Sequence, residues 1–155
     1  MATGILIYSY SGNTLAVAER IKAAIEVTTG EQAKIERIMA ENAGPNSGNP
    51  IILKDIPRID QYDRLIIGAP INAFSLCRAM TMYLSGHAEF SGKHVGCFIT
   101  QHFKHSFLGG SNGLKQMVGL CEKAGGEVEQ TAIIHWSSPK REAEIDDAAA
   151  LMLKV

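Results

Sequence analysis

Ile5-Leu6-Ile7-Tyr8-Ser9-Tyr10-Ser11-Gly12-Asn13-Thr14 is an apolar β-type run that breaks into a hydroxyl-rich loop. A helical period follows at once, with Leu15, Ala18, Ile21 and Ile25 on one face. A strand that feeds a loop into a helix N-terminus is a ready anion site. The first helical N–H groups have no internal partner, and the helix dipole favours negative charge. Ser9, Ser11 and Thr14 add hydroxyls, and Gly12 lets the backbone approach closely. No Lys or Arg lies between Met1 and Glu19. An anion here is expected to be held by amides and hydroxyls rather than by a counter-ion.

Outward from this stretch, strand and helix patterns alternate. The apolar run over residues 4–8 does not alternate, which is the habit of a strand buried on both faces of a parallel sheet. The first helix reads from about Asn13 to Val27 and stops at Gly30. Residues 33–39 alternate charged and apolar side chains, as an edge strand does. The pattern dissolves over residues 40–60, and the Gly-, Asn- and Pro-rich residues 41–50 read as a loop. A helix expected there is missing or vestigial. Residues 62–68 form the next central strand, ended by Ala69-Pro70, and Ala73, Cys77, Met80 and Leu84 share a helical face after it. Residues 93–100 form a further strand, and a polar loop runs over residues 101–110. Ser111 or Asn112 is placed to cap a helix carrying Leu114, Met117, Val118 and Cys121. Residues 127–136 read as the last strand, and Ser138-Pro139 as the start of the closing helix. Strands alternating with helices imply an α/β domain with a parallel sheet. Ligands in such sheets sit beyond the strand C-termini, where the strand order reverses.

Composition narrows the function. The chain of 155 residues suits a single domain, residues 1–155, with a proper core. Net charge is −1, which makes no electrostatic case for nucleic acid or an anionic membrane surface. Cys77, Cys97 and Cys121 are widely spaced in apolar settings, so they read as buried, inert thiols. The N-terminal apolar run is too short for a signal peptide, and no run has membrane-span length, so a cytoplasmic protein is expected.

The segment Ser9-Tyr10-Ser11-Gly12-Asn13-Thr14 resembles the phosphate loop of flavodoxins, Thr/Ser-x-Thr/Ser-Gly-x-Thr. Asp63-Arg64-Leu65-Ile66-Ile67-Gly68-Ala69-Pro70-Ile71 resembles the family's strand ending in Gly-Ser/Thr-Pro-Ile/Val. The resemblance spans essentially the whole chain. It implies a three-layer, doubly wound, five-stranded parallel sheet in the order 2-1-3-4-5, with FMN as cofactor. It implies that Ser9, Tyr10, Ser11, Gly12, Asn13 and Thr14 bind the phosphate. Pro70, Ile71, Asn72, Ala73 and Phe74 would line one face of the flavin ring. Thr100, Gln101, His102 and Phe103 would line the other. Phe103 is favoured over Phe107 as a stacking partner. Phe74 is open between the ring and the core of the following helix. No catalytic acid or base is expected, because the flavin carries the chemistry.

Two departures from the family bear on mechanism. Ile71-Asn72-Ala73 lacks the glycine many flavodoxins have there, which implies a bias toward two-electron transfer. His102, Lys104 and His105 stand where carriers are often acidic, which implies a less negative midpoint potential. The first reading is an electron carrier between redox partner proteins. The alternative is an enzyme similar to FMN-dependent NAD(P)H:quinone reductases. A monomer or weak homodimer is expected in either case.

Other chemistries fit less well. Gly109-Gly110-Ser111-Asn112-Gly113 matches the Gly-x-Ser-x-Gly elbow of serine hydrolases, but that motif needs a strand running straight into the turn. There is no Gly-x-Gly-x-x-Gly and no Gly-x-x-x-x-Gly-Lys-Ser/Thr. The 5 histidines lack metal-ligand spacing, so no metal site is expected.

Overall fold

The unbroken apolar run after Ala2 forms β1 (Thr3–Ile7), buried along its whole length. The computed structural model describes residues 2–41, 50–105 and 109–155. β1 is followed by α1 (Asn13–Thr29), β2 (Ala33–Arg37), β3 (Arg64–Asn72), β4 (Ser75–Leu76) and α2 (Arg78–Gly86). The chain continues with β5 (His94–Gln101), α3 (Gly110–Lys123), β6 (Glu127–His135) and α4 (Arg141–Met152). The strands stand in the order β2-β1-β3-β5-β6, all parallel, and β4 pairs antiparallel with β3. The long strands thus take the expected order, with β4 as an addition. The order reverses between β1 and β3.

Two layers of helix bury the two sheet faces. Ile5, Ile7, Ile66 and Phe98 pack with Val17, Ile21 and Ile25 of α1 and Ile145, Ala148 and Met152 of α4. Leu6, Leu65, Ile67, Val95 and Ile99 pack with Met80, Tyr83 and Leu84 of α2 and Met117 and Cys121 of α3. All three thiols are buried. Burial pushes the Cys77 thiol up to about 12, far from the thiolate that reactivity needs.

No helix occurs among the described residues between β2 and β3. Ile38, Ile51, Ile59 and Tyr62 fill the core there instead. A short antiparallel ladder holds them: Glu41 N–H donates to the Ile52 carbonyl at 2.9 Å and Lys54 N–H to the Met39 carbonyl at 2.8 Å. The loop expected over residues 41–50 lies mostly outside the described residues.

Four boundaries differ from expectation. β3 does not stop at Pro70 but runs to Asn72 and turns back through Ala73 and Phe74 into β4. Pro70 is tolerated because β1 pairs with β3 only as far as Gly68, so no β1 carbonyl needs an N–H there, and its own carbonyl accepts from Cys77 N–H at 3.2 Å. α2 therefore starts at Arg78, and Ala73 lies outside it. Neither Ser111 nor Asn112 caps α3: Gly109 holds the N-cap at φ 115° with no side-chain cap. Ser138 closes a turn by accepting from Lys140 N–H at 3.1 Å, and α4 begins only at Arg141.

Candidate functional site

The loops beyond the C-termini of β1, β3 and β5 meet at the reversal of strand order. The β1–α1 loop turns at Gly12, where φ is 95° and an added Cβ would meet nothing within 4 Å. The turn thus asks for glycine on backbone grounds alone. α1 has no side-chain cap at Gly12 and no acidic residue in its first turn, so no carboxylate there opposes an anion. Leu15 N–H donates to Ser9 Oγ at 3.2 Å, and Ala16 N–H to the Gly12 carbonyl at 3.0 Å. The N–H groups of Asn13 and Thr14 have no partner among the described residues.

The loop's hydroxyls divide by role. Ser9 Oγ is taken by Leu15. Thr14 Oγ1 bonds Thr100 Oγ1 at 2.8 Å, with both residues buried, and so ties the first loop to the end of β5. Ser11 remains exposed. One cation was not legible in the loop itself. Arg37, at the end of β2, donates from its guanidinium to the Ser9 carbonyl at 3.4 Å. Its guanidinium lies behind the loop, and Arg37 is not part of the cavity wall. The signal was its place at the end of an edge strand, which parallel pairing sets beside Ile7.

A cavity of about 350 Å³ lies between the loops, lined by Tyr10, Ser11, Asn13, Pro70, Ile71, Asn72, Thr100, Gln101 and His102. Phe74 and Phe103 stand together at the surface, with ring centroids 6.2 Å apart and planes within 6°. They are 57% and 46% exposed, so neither serves the core. Phe107 lies outside the described residues. Ala73 (φ 49°) and Phe74 (φ 66°) are both left-handed without being glycine. Their turn is propped from below by α3. A Cβ on Gly109 would lie 2.7 Å from Phe74 Cα, and Leu76 N–H donates to Gln116 Oε1 at 2.9 Å.

Gln101 organises the third loop rather than only lining it. Its buried amide Nε2 donates to the carbonyls of Phe103 (2.6 Å) and His105 (2.7 Å). His102, Phe103, Lys104 and His105 are thereby held at the surface.

Other chemistry-bearing groups lie apart. Ser111 sits inside the first turn of α3, well after β5 ends, so the hydrolase elbow geometry is not formed. His135 Nδ1 pairs with Glu144 Oε2 at 2.7 Å, holding β6 to α4. His94, Glu127 and Glu129 gather at the opposite end of the sheet, a grouping that spacing did not reveal. All three are exposed, and His94 Nδ1 is already 2.6 Å from Glu129 Oε1. No helix of the described residues is long and apolar enough to cross a membrane.

No protein-family model matches the sequence. No curated protein matches it either. Solved structures do match over nearly the full chain. A Fusobacterium nucleatum flavodoxin bound to flavin mononucleotide shares 18% identity at a TM-score of 0.66, covering 99% of this chain and 97% of that one. The Trp repressor binding protein of Bacillus subtilis shares 14% at 0.68, covering 97% and 99%. A flavoprotein in complex with FMN from Lactobacillus acidophilus shares 18% at 0.62, covering 96% and 98%. The fold is flavodoxin-like.

Proposed function

We propose that this chain binds FMN between its three loops and serves as an electron carrier between redox partner proteins. The observation that carries the reading is the open, uncapped α1 N-terminus facing the 350 Å³ cavity across from Asn72 and His102. The residues present suit the group. Asn13 and Thr14 offer amides and Ser11 a hydroxyl to a phosphate, and no carboxylate in the first turn opposes it. Pro70, Ile71 and Asn72 on one side and Thr100, Gln101 and His102 on the other leave a slot for a planar ring. Two of the solved relatives in fold hold FMN. When bound, FMN supplies the redox chemistry. The chain's own residues bind it, exclude water from its buried side and set its electrostatic surroundings. The exposed Phe74 and Phe103 offer an apolar rim against which a protein partner packs.

A second reading, an FMN-dependent NAD(P)H oxidoreductase, is supported by the exposed His102, Lys104 and His105 and by the net charge of −1. Positive charge near the ring, as Lys104 supplies, favours a reduced, anionic cofactor and a nucleotide phosphate alike.

The test is FMN titration followed by anaerobic addition of NADPH and then NADH to the loaded protein. Binding of one FMN per chain, with flavin absorbance unchanged until dithionite or a flavodoxin reductase is added, is the expected result. Direct bleaching by NAD(P)H selects the oxidoreductase. Absence of FMN binding removes both readings.

A further inference from the structure

The stretch Gly109-Gly110-Ser111-Asn112-Gly113 forms the N-cap and first turn of α3, and its glycines lie against two different loops of the candidate site. A Cβ on Gly113 would fall 2.1 Å from Ile71 Cδ1, and one on Gly109 would fall 2.9 Å from Ile71 Cγ2. The turn through Ile71, Asn72, Ala73 and Phe74 therefore lies directly on the helix. A Cβ on Gly110 would fall 1.9 Å from Gln101 Oε1 and 3.4 Å from Ile133 Cγ2. Gly110 is thus a seat that receives the Gln101 amide and that any side chain would fill.

A second observation concerns the amide itself. Gln101 is 3% exposed, and its Oε1 is the one buried side-chain polar atom without a hydrogen-bond partner among the described residues. Buried acceptors are nearly always paired, so an orphan calls for a physical reason. That reason lies with the amide nitrogen. Nε2 donates to the carbonyls of Phe103 and His105 at 2.6 and 2.7 Å. Turning the amide over would set Oε1 against two carbonyl oxygens. The third loop fixes the orientation, and the space at Gly110 takes the oxygen that is left.

We propose that Gln101 is a positioning residue. Seated on Gly110, it sets where Phe103 stands against Phe74, and the first turn of α3 thereby fixes both of the loops that flank the slot. Phe103 is held through its own carbonyl. Phe74 is held through its backbone, which rests on Gly109. Both rings are exposed, so core packing does not orient them. Their parallel stance, with centroids 6.2 Å apart, is the joint result of the two supports. Neither Gly109 nor Gly110 lines the cavity, so changes there act on the slot from behind. The ring geometry stands whatever the cofactor, and its consequence for FMN rests on the FMN site proposed above.

The test uses the full chain with three substitutions. Gln101→Met keeps the length of the side chain and removes both donations. Gly110→Ala fills the seat. Gly119→Ala is the control on the same helix, because a Cβ there would meet nothing within 4 Å. Without FMN, proton NOEs between the Phe74 and Phe103 rings are expected in the wild type and in Gly119→Ala. They should be lost in Gln101→Met and Gly110→Ala, with amide shifts centred on residues 102–105. A chain carrying both changes should match the single variants rather than add to them, because both act through one seat. With FMN, dissociation from either variant should be about tenfold faster than from the wild type, since the slot is no longer preorganised. Ring NOEs retained in Gln101→Met would overturn the proposal, and so would an additive double variant. If Gly110→Ala does not fold, Gln101→Met decides alone. Lost NOEs with unchanged FMN dissociation would overturn the role in the slot. A wild type that does not bind FMN would overturn the FMN site and leave the positioning of Phe103 to be decided by the FMN-free spectra.

Discussion

Ala73 and Phe74 show what a single backbone angle does at this site. Both residues lie at positive φ, 49° and 66°, where a Cβ crowds the adjacent carbonyl. Such strain persists only where the surroundings over-determine it. Here Gly109 beneath the turn and Gln116 on the Leu76 amide do so. Ala73→Gly should therefore raise stability by about 0.5–1 kcal/mol, the relief of strain outweighing the added freedom of the unfolded chain. A urea melt reads this directly. A loss of stability would mean that Ala73 does not sit in the left-handed region in solution. The turn could not be read beforehand, because neither Ala nor Phe signals positive φ. Pro70 also looked like the end of the strand, and the props come from a helix thirty-odd residues downstream. Arg37 was hidden for a related reason: its reach to Ser9 exists only once β2 lies against β1.

At the level of elements, the sheet core was legible because β1, β3 and β5 are apolar runs without alternation, and α1 is bracketed by Gly12 and Gly30. The reversal between β1 and β3 placed the three loops together before any side chain was considered. The packing within β3 was less visible. Gly68 is needed because Phe98, fully buried on the neighbouring strand, lays its ring across it. A Cβ there would fall 2.1 Å from Phe98 Cζ. Gly68→Ala is expected to cost about 1–3 kcal/mol as the ring is forced aside. That should lower the thermal midpoint by several degrees for a domain of this size. An unchanged midpoint would show that the ring has room to move.

The whole molecule should be sensitive to alkali. Burial, with the Glu36 hydrogen bond adding to it, pushes the Tyr62 phenol from 10.0 up to about 12. Burial does the same for Tyr83, and it carries the Cys77 thiol from 9.0 to about 12. The unfolded chain gives up these protons first as pH rises, while the folded chain keeps them to about 12. The stability tied to them is whole below about pH 9 and is lost progressively toward pH 12. Urea midpoints at pH 8, 10 and 11 should be level and then fall; a level series through pH 11 would contradict the burial of these groups. At neutral pH the molecule is held in another way that bears on its site. The Thr14–Thr100 hydroxyl pair is made within the chain itself, so two of the three loops are tied together as the chain folds. The entropy of fixing them is spent in folding rather than at the encounter with a ligand. A ligand that enters meets a preorganised slot, and its arrival rate is set by diffusion and orientation rather than by waiting for loops to close.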